Sequence, residues 1–161
     1  MERNPRGFSL IELLIVVAII LIIAAIAIPN LLRSRLAANQ ASAVGSCRAL
    51  NNAEITYSST FNVGYSVDLT SLTSPTSAGA NPTSTAAGLI DSVLASGSKS
   101  GYSFVYSPGV SDSAGRVLSY TVSAEPLSSS TGINYYYTDQ SGVIRQNSTT
   151  TAASTDSPLA G

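Results

Sequence analysis

Glu12 is the residue whose surroundings demand a chemical explanation. From Leu13 to Ile28 every residue is Leu, Ile, Val or Ala, and no charge occurs between Glu12 and Arg33. A carboxylate carried to the centre of a bilayer costs about 2.5–3.5 kcal/mol, and less toward the interface. Such a charge either meets a positive partner or sits at headgroup depth in contact with water. Gly7 and Phe8 stand just upstream, behind a short polar leader containing Arg3 and Arg6.

Other reactive groups are scarce. The chain has no histidine and one cysteine. That excludes a Ser-His-Asp triad, a histidine metal site, an intramolecular disulfide and a multi-cysteine zinc site. Cys47 lies on the apolar stripe of a helical pattern and reads as a small core residue. Asp112 and Asp139 each occupy a loop rich in oxygen groups, but a hard cation takes six to eight ligands, so both read as turn formers. No phosphate loop and no carboxylate cluster is present. The sequence therefore points away from an enzyme, and no metal or cofactor is expected. Charged residues make up 11% of the chain and the formal net charge is −1, which leaves no electrostatic footprint for nucleic acid.

The elements that position Glu12 come next. Phe8 to Leu32 spans about 25 residues, which as a helix measures roughly 37 Å at 1.5 Å per residue. A bilayer core of about 30 Å is crossed by such a helix with some tilt. A secreted chain's cleavable signal is the competing reading. The apolar run exceeds the usual h-region, although Ala24-Ala25-Ile26-Ala27 passes as a weak small-residue cleavage site. Pro29 removes one helical hydrogen bond, so it either kinks the helix near Leu21 to Pro29 or begins a separate one.

The run Arg6-Gly7-Phe8-Ser9-Leu10-Ile11-Glu12-Leu13-Leu14 resembles the processing site of type IV prepilins with a class III leader, and of the related type II secretion pseudopilins. The resemblance is specific over about Pro5 to Leu36. It implies cleavage by the prepilin peptidase after Gly7 and N-methylation of the new amine of Phe8 by the same enzyme. It further implies an assembly role for Glu12, as partner of a neighbouring subunit's N-terminal amine, and a helix-kinking role for Pro29. The implied function is that of a structural subunit of a type IV pilus; the alternative is the major pseudopilin of a type II secretion system. The implied partners are identical subunits in a homopolymer, the peptidase/methyltransferase, the inner-membrane assembly machinery and, before assembly, the lipid bilayer. The implied location is the bacterial inner membrane and then an extracellular fibre. Many type IV pilins close a C-terminal loop with two cysteines. Cys47 stands alone here, so packing, neighbouring subunits or a bound ion must hold the sheet.

Beyond the span the helix continues to about Tyr57 as an amphipathic element, with Leu32, Leu36, Val44, Cys47, Leu50 and Tyr57 on one face and Asn39, Gln40, Asn52 and Glu54 among the polar positions. Asp68-Leu69-Thr70-Ser71-Leu72 reads as one capped turn, and Ala86 to Ala95 as a short helix ending at Gly97. Strands are expected at Tyr102–Ser107, Val117–Ala124, Ile133–Thr138 and Val143–Arg145, separated by turns such as Asp139-Gln140-Ser141-Gly142. The fold class expected is α+β, with one long N-terminal helix packed on a small antiparallel sheet. The expected divisions are a leader at 1–7, a transmembrane and polymerisation helix at 8–32, a globular domain at 33–146 and a flexible Ser/Thr-rich tail at 147–161. Asn147-Ser148-Thr149 also fits an N-glycosylation pattern.

Overall fold

A computed structural model describes residues 7–76 and 79–159. The leader arginines, Arg3 and Arg6, lie outside the described residues. The chain divides into two units, Met1–Arg35 and Leu36–Gly161.

One helix, α1 (Leu10–Phe61), runs through both units, with Pro29 inside it. Leu, Ile, Val and Ala dominate its first half, and among the large apolar residues from Leu10 to Leu32 none is buried. By length and composition this is a helix able to cross a membrane. In the second unit α1 buries Ala43, Cys47, Leu50, Ala53, Glu54 and Tyr57, the three-and-four spacing of one helical face.

That face packs in one core cluster with a five-stranded antiparallel sheet. The strands are β1 (Ser98–Lys99), β2 (Tyr102–Pro108), β3 (Tyr120–Pro126), β4 (Tyr135–Asp139) and β5 (Arg145–Asn147), in the spatial order β1-β2-β3-β4-β5. Tyr102 and Phe104 of β2, Tyr120, Val122 and Ala124 of β3, and Tyr136 and Thr138 of β4 turn inward, as the period of two requires. The α+β class expected from the sequence is the one observed.

Several local expectations need correction. The strand expected at Val143–Arg145 lies at Arg145–Asn147, and the one expected at Ile133–Thr138 at Tyr135–Asp139. The strand expected at Val117–Ala124 begins at Tyr120, because Val117 pairs instead with Gly64, Tyr65 and Ser111. Gly64 allows that approach: a Cβ there would fall 2.2 Å from the Val117 carbonyl oxygen, and its φ is +80°. The helix expected over Ala86 to Ala95 shrinks to α2 (Ser92–Ala95), capped by Asp91, whose carboxylate accepts from Leu94 N–H at 2.8 Å. Residues 87–90 instead bond to the backbone of 71–73.

The stretch read as a flexible tail folds back along β5. Gln146 N–H donates to the Ser157 carbonyl and Leu159 N–H to the Ile144 carbonyl. The Arg145 guanidinium donates to the Asp156 carbonyl, and Ala152 is buried. Finally, Glu54, placed among polar surface positions by its residue type, is fully buried.

Candidate functional site

The segment at which the sequence leads one to expect processing precedes α1. Gly7, Phe8 and Ser9 are not helical, and among the described residues nothing lies within 4 Å of where a Cβ on Gly7 would stand. Phe8 is 79% exposed. Ser9 caps the helix: its hydroxyl accepts from Ile11 N–H at 3.3 Å, and its own N–H donates to Glu12 Oε2 at 2.9 Å. This is a reciprocal capping arrangement in which two otherwise unpaired N–H groups at the helix start are satisfied. The carboxylate is also well placed against the positive end of the helix dipole. The Ser-x-x-Glu spacing of Ser9 and Glu12 is a local capping signal in the sequence, independent of the charge's depth in a membrane. Pro29 lies within α1 and offers no N–H to the Ala25 carbonyl one turn earlier.

The sheet and loops of the second unit, here the head, are held to α1 by a line of polar side chains. Asn39 donates to the Thr131 carbonyl at 2.9 Å, and Gln40 accepts from Asn134 at 3.1 Å. Ser42 donates to Ser100 at 2.8 Å. Deeper in, Asn51 donates to Thr138 Oγ1 and the Gly142 carbonyl and accepts from the Tyr120 hydroxyl. Glu54 accepts from Ser66, and Tyr57 donates to the Ser84 carbonyl. These bonds, with the aromatic core around Tyr102, Tyr106, Tyr120 and Tyr136, hold the sheet without a disulfide. Most join positions far apart in sequence, so no local pattern announces them.

The remaining candidates stay apart. Cys47 is buried, and burial pushes its thiol up to about 12, which keeps it protonated and unreactive. Asp112 bonds the N–H groups of Ala114 and Arg116 and pairs with the Arg116 guanidinium at 2.7 Å. These contacts hold its carboxyl below the usual range. Asp139 accepts from Ser141 N–H at 2.9 Å. Each aspartate closes its own turn, and among the described residues no three metal-binding side chains gather. The Asn147 side chain is likewise engaged, donating to Asp156 and accepting from Thr149 and Thr150.

The family model described as the prokaryotic N-terminal methylation motif matches residues 3–28. The type IV wide pilus major component PilA4 of Thermus thermophilus is 68% identical over 37 residues, 23% of this chain and 28% of that protein. The type IV major pilin protein PilA of Myxococcus xanthus is 53% identical over 53 residues, 32% of this chain and 24% of that protein. The matched stretch thus spans about a quarter of either relative's length. No solved structure matches significantly. The chain thus carries an N-terminal methylation motif and is similar, over its N-terminal segment, to two type IV pilins, and that segment leads into an α+β fold.

Proposed function

We propose that the chain is the structural subunit of a type IV pilus rather than an enzyme. The observation that carries this reading is the combination of the methylation motif at residues 3–28 with an unburied apolar helix that begins at Glu12's own turn. In this reading the precursor sits in the bacterial inner membrane with its leader on the cytoplasmic side. The prepilin peptidase cuts after Gly7 and methylates the Phe8 amine, and the inner-membrane assembly machinery then passes the subunit into an extracellular homopolymer. Both relatives are named as pilus subunits, which favours a pilus over a secretion pseudopilus.

Glu12 sets axial register. The stretch Leu13 to Ile28 supplies apolar packing but is nearly featureless along its length, so it does not by itself select one axial position. After cleavage the new amine lies four residues before Glu12, and an incoming subunit brings its own. Opposite charges about 4 Å apart attract by roughly 4 kcal/mol at an effective dielectric near 20. A buried charge left alone costs a comparable few kcal/mol, so mispaired registers are penalised. Pro29 is the point at which α1 already lacks a hydrogen bond, and it lets the stretch from Ala24 to Leu31 loosen when fibre packing demands it.

The test substitutes Glu12→Ala. Processed subunit should remain in membranes at normal amounts, with an N-methylated Phe8 at its start by peptide mass, while sheared surface fibres disappear or fall sharply. Glu12→Asp should be intermediate, because it keeps the charge and shortens the reach. Abundant normal fibres from Glu12→Ala would remove the assembly role from Glu12. A mature chain that retains Gly7, or begins near Pro29, would end the pilin reading.

A further inference from the structure

The loop that joins β3 to β4, residues 126–134, carries no charged residue and exposes two large aliphatic side chains. Leu127 is 61% exposed and Ile133 55%. Each stands three residues beyond the Ala124–Tyr136 pair that ends the β3–β4 ladder, so they form the two shoulders of the loop. Serines, Thr131 and Gly132 lie between them. Tyr135, half-buried, lines one shallow groove with Pro126 and Ile133. Exposed aliphatics scattered singly are ordinary. What sets this pair apart is the backbone that carries them and where α1 holds it.

The loop bonds many of its own polar groups. Leu127 N–H donates to the Gly101 carbonyl at 2.9 Å, and Ser128 N–H to Thr131 Oγ1 at 3.0 Å. The Ser128 carbonyl accepts from the N–H groups of Thr131 and Gly132 and from the Thr131 hydroxyl. The Ser128 and Ser130 hydroxyls bond each other at 2.8 Å. Asn39 donates to the Thr131 carbonyl and Tyr102 to the Asn134 carbonyl. A backbone group met internally loses little on leaving bulk water, whereas an unmet one is costly in an apolar medium. Asn39 and Gln40, which hold the loop at Thr131 and Asn134, follow Leu32, the end of the apolar run, with unbroken helix between. At 1.5 Å per residue Asn39 is carried only about 10 Å past Leu32. The polar layer on each side of a bilayer core is itself roughly 5–7 Å deep.

We propose that the β3–β4 loop is a membrane-surface anchor of the unassembled subunit: Leu127 and Ile133 enter the headgroup layer of the phospholipid bilayer that α1 crosses. Tyr135 serves the same contact, with an apolar ring and a hydroxyl that stays in water, the combination found at membrane interfaces. The occupant is lipid because the loop is tethered to the end of the apolar run, carries no charge to desolvate and sets its aliphatic shoulders among hydroxyls. Arg33 and Arg35, both exposed, follow directly on that run and offer cations to lipid phosphate. Two aliphatic side chains give weaker binding than a single acyl chain, which is itself reversible. The anchor therefore steadies the head at the membrane without opposing the subunit's departure into a fibre. This deepens the pilus-subunit reading and rests on α1 crossing a membrane.

The chain contains no tryptophan, so a single introduced indole reports its own surroundings. Full-length Leu127→Trp, Ile133→Trp, Ile22→Trp and Val110→Trp are reconstituted in vesicles of equimolar phosphatidylethanolamine and phosphatidylglycerol, with and without lipids brominated just below the glycerol. All four positions are exposed, so the core is undisturbed. Ile22 lies within the apolar run. Val110 follows β2 at the end of the sheet remote from the loop, since Pro108 pairs with Tyr120 and Tyr102 with Pro126. Bromine should quench Leu127→Trp and Ile133→Trp at least about twofold, as expected of side chains at the headgroup boundary, and leave Val110→Trp unchanged. Quenching confined to Ile22→Trp would overturn the loop anchor and leave the span standing. No quenching of Ile22→Trp would overturn the membrane reading and the anchor together. Equal quenching of Val110→Trp would mean that lipid does not select the loop, which also overturns the anchor. A blue shift of Ile133→Trp that grows with the protein-to-lipid ratio and escapes bromine would replace lipid with a second copy of the chain.

Discussion

Gly132 and Tyr102 illustrate how little slack the head leaves at single positions. A Cβ on Gly132 would fall 2.2 Å from the Tyr102 hydroxyl oxygen and 2.6 Å from its Cζ. The ring has nowhere to swing, since Tyr102 is fully buried and its hydroxyl donates to the Asn134 carbonyl at 2.9 Å. Gly132→Ala should therefore destabilise the head by about 3 kcal/mol, the upper part of the overpacking range. Tyr102→Phe, which loses one hydrogen bond and keeps the ring, should cost about 1 kcal/mol. Urea midpoints of the two variants test the order, and equal losses would mean that the clash relaxes elsewhere. Asn51 carries a different burden. Its truncation to alanine strips partners from the Tyr120 and Thr138 hydroxyls and the Gly142 carbonyl at once. Each group left buried and unpaired costs about 1–3 kcal/mol, so Asn51→Ala should lose more stability than Tyr102→Phe in the same measurement.

At the scale of elements, the C-terminal stretch behaves as an extra strand covering the free side of β5. Its anchors are the Ser157 and Ile144 carbonyls, the Asp156 carbonyl under Arg145 and the buried Ala152. Deleting 150–161 should leave the sheet folded but free the Gln146 amide, raising its hydrogen-exchange rate at least about tenfold while the Val122 amide in β3 stays protected. Unchanged exchange at Gln146 would mean that the tail is detached in solution. The tail also shows where sequence reading falls short. A Ser/Thr/Ala run carries no apolar period, and beside those anchors the carboxylate of Asp156 helps to order it by bonding Asn147 and Ala153. Strands β2 to β4 were legible because alternation is written in consecutive residues, whereas β1 is two residues without a pattern. Glu54 stood at the right spacing, four after Leu50 and three before Tyr57, and was misplaced because its type outweighed its position. The N-terminal methylation motif was legible because the residues that suggest it lie together between Arg6 and Leu14. The Ser9–Glu12 cap is equally local, a serine and a glutamate three residues apart at the helix start.

The whole molecule combines acidic groups that pull stability in opposite directions as pH changes. Asp68, Asp91 and Asp112 are held below the usual carboxylate range. Burial pushes Asp68 up, but the Thr70 and Ser71 hydrogen bonds together outweigh it; Lys99 and Leu94 lower Asp91, and Arg116 and Ala114 lower Asp112. A carboxyl with a depressed folded value contributes stability that is present above its unfolded value, about 3.9, and is lost as pH falls through the folded value. These three therefore make an acid limb. Glu54 is raised by burial and works the other way: its contribution is full below about 4.3 and is lost as pH rises toward its folded value. The tyrosines extend that descent. Burial raises Tyr102, Tyr106, Tyr120 and Tyr136 above their ordinary value, so above about pH 10 the unfolded chain ionises them while the folded core holds them neutral. Stability of the full chain should accordingly peak in mildly acidic solution, decline gently toward neutrality and collapse above about pH 10. Thermal midpoints in detergent from pH 3 to 11 give the profile. Replacing Tyr120 with phenylalanine should shallow the alkaline collapse without moving the acid limb, and Asp68→Asn should do the reverse. A profile that does not fall between pH 5 and 8 would show that Glu54 ionises in the folded chain near its ordinary value, since the three aspartates are ionised in both states across that range, and a collapse unchanged in Tyr120→Phe would place its cause outside the tyrosine core.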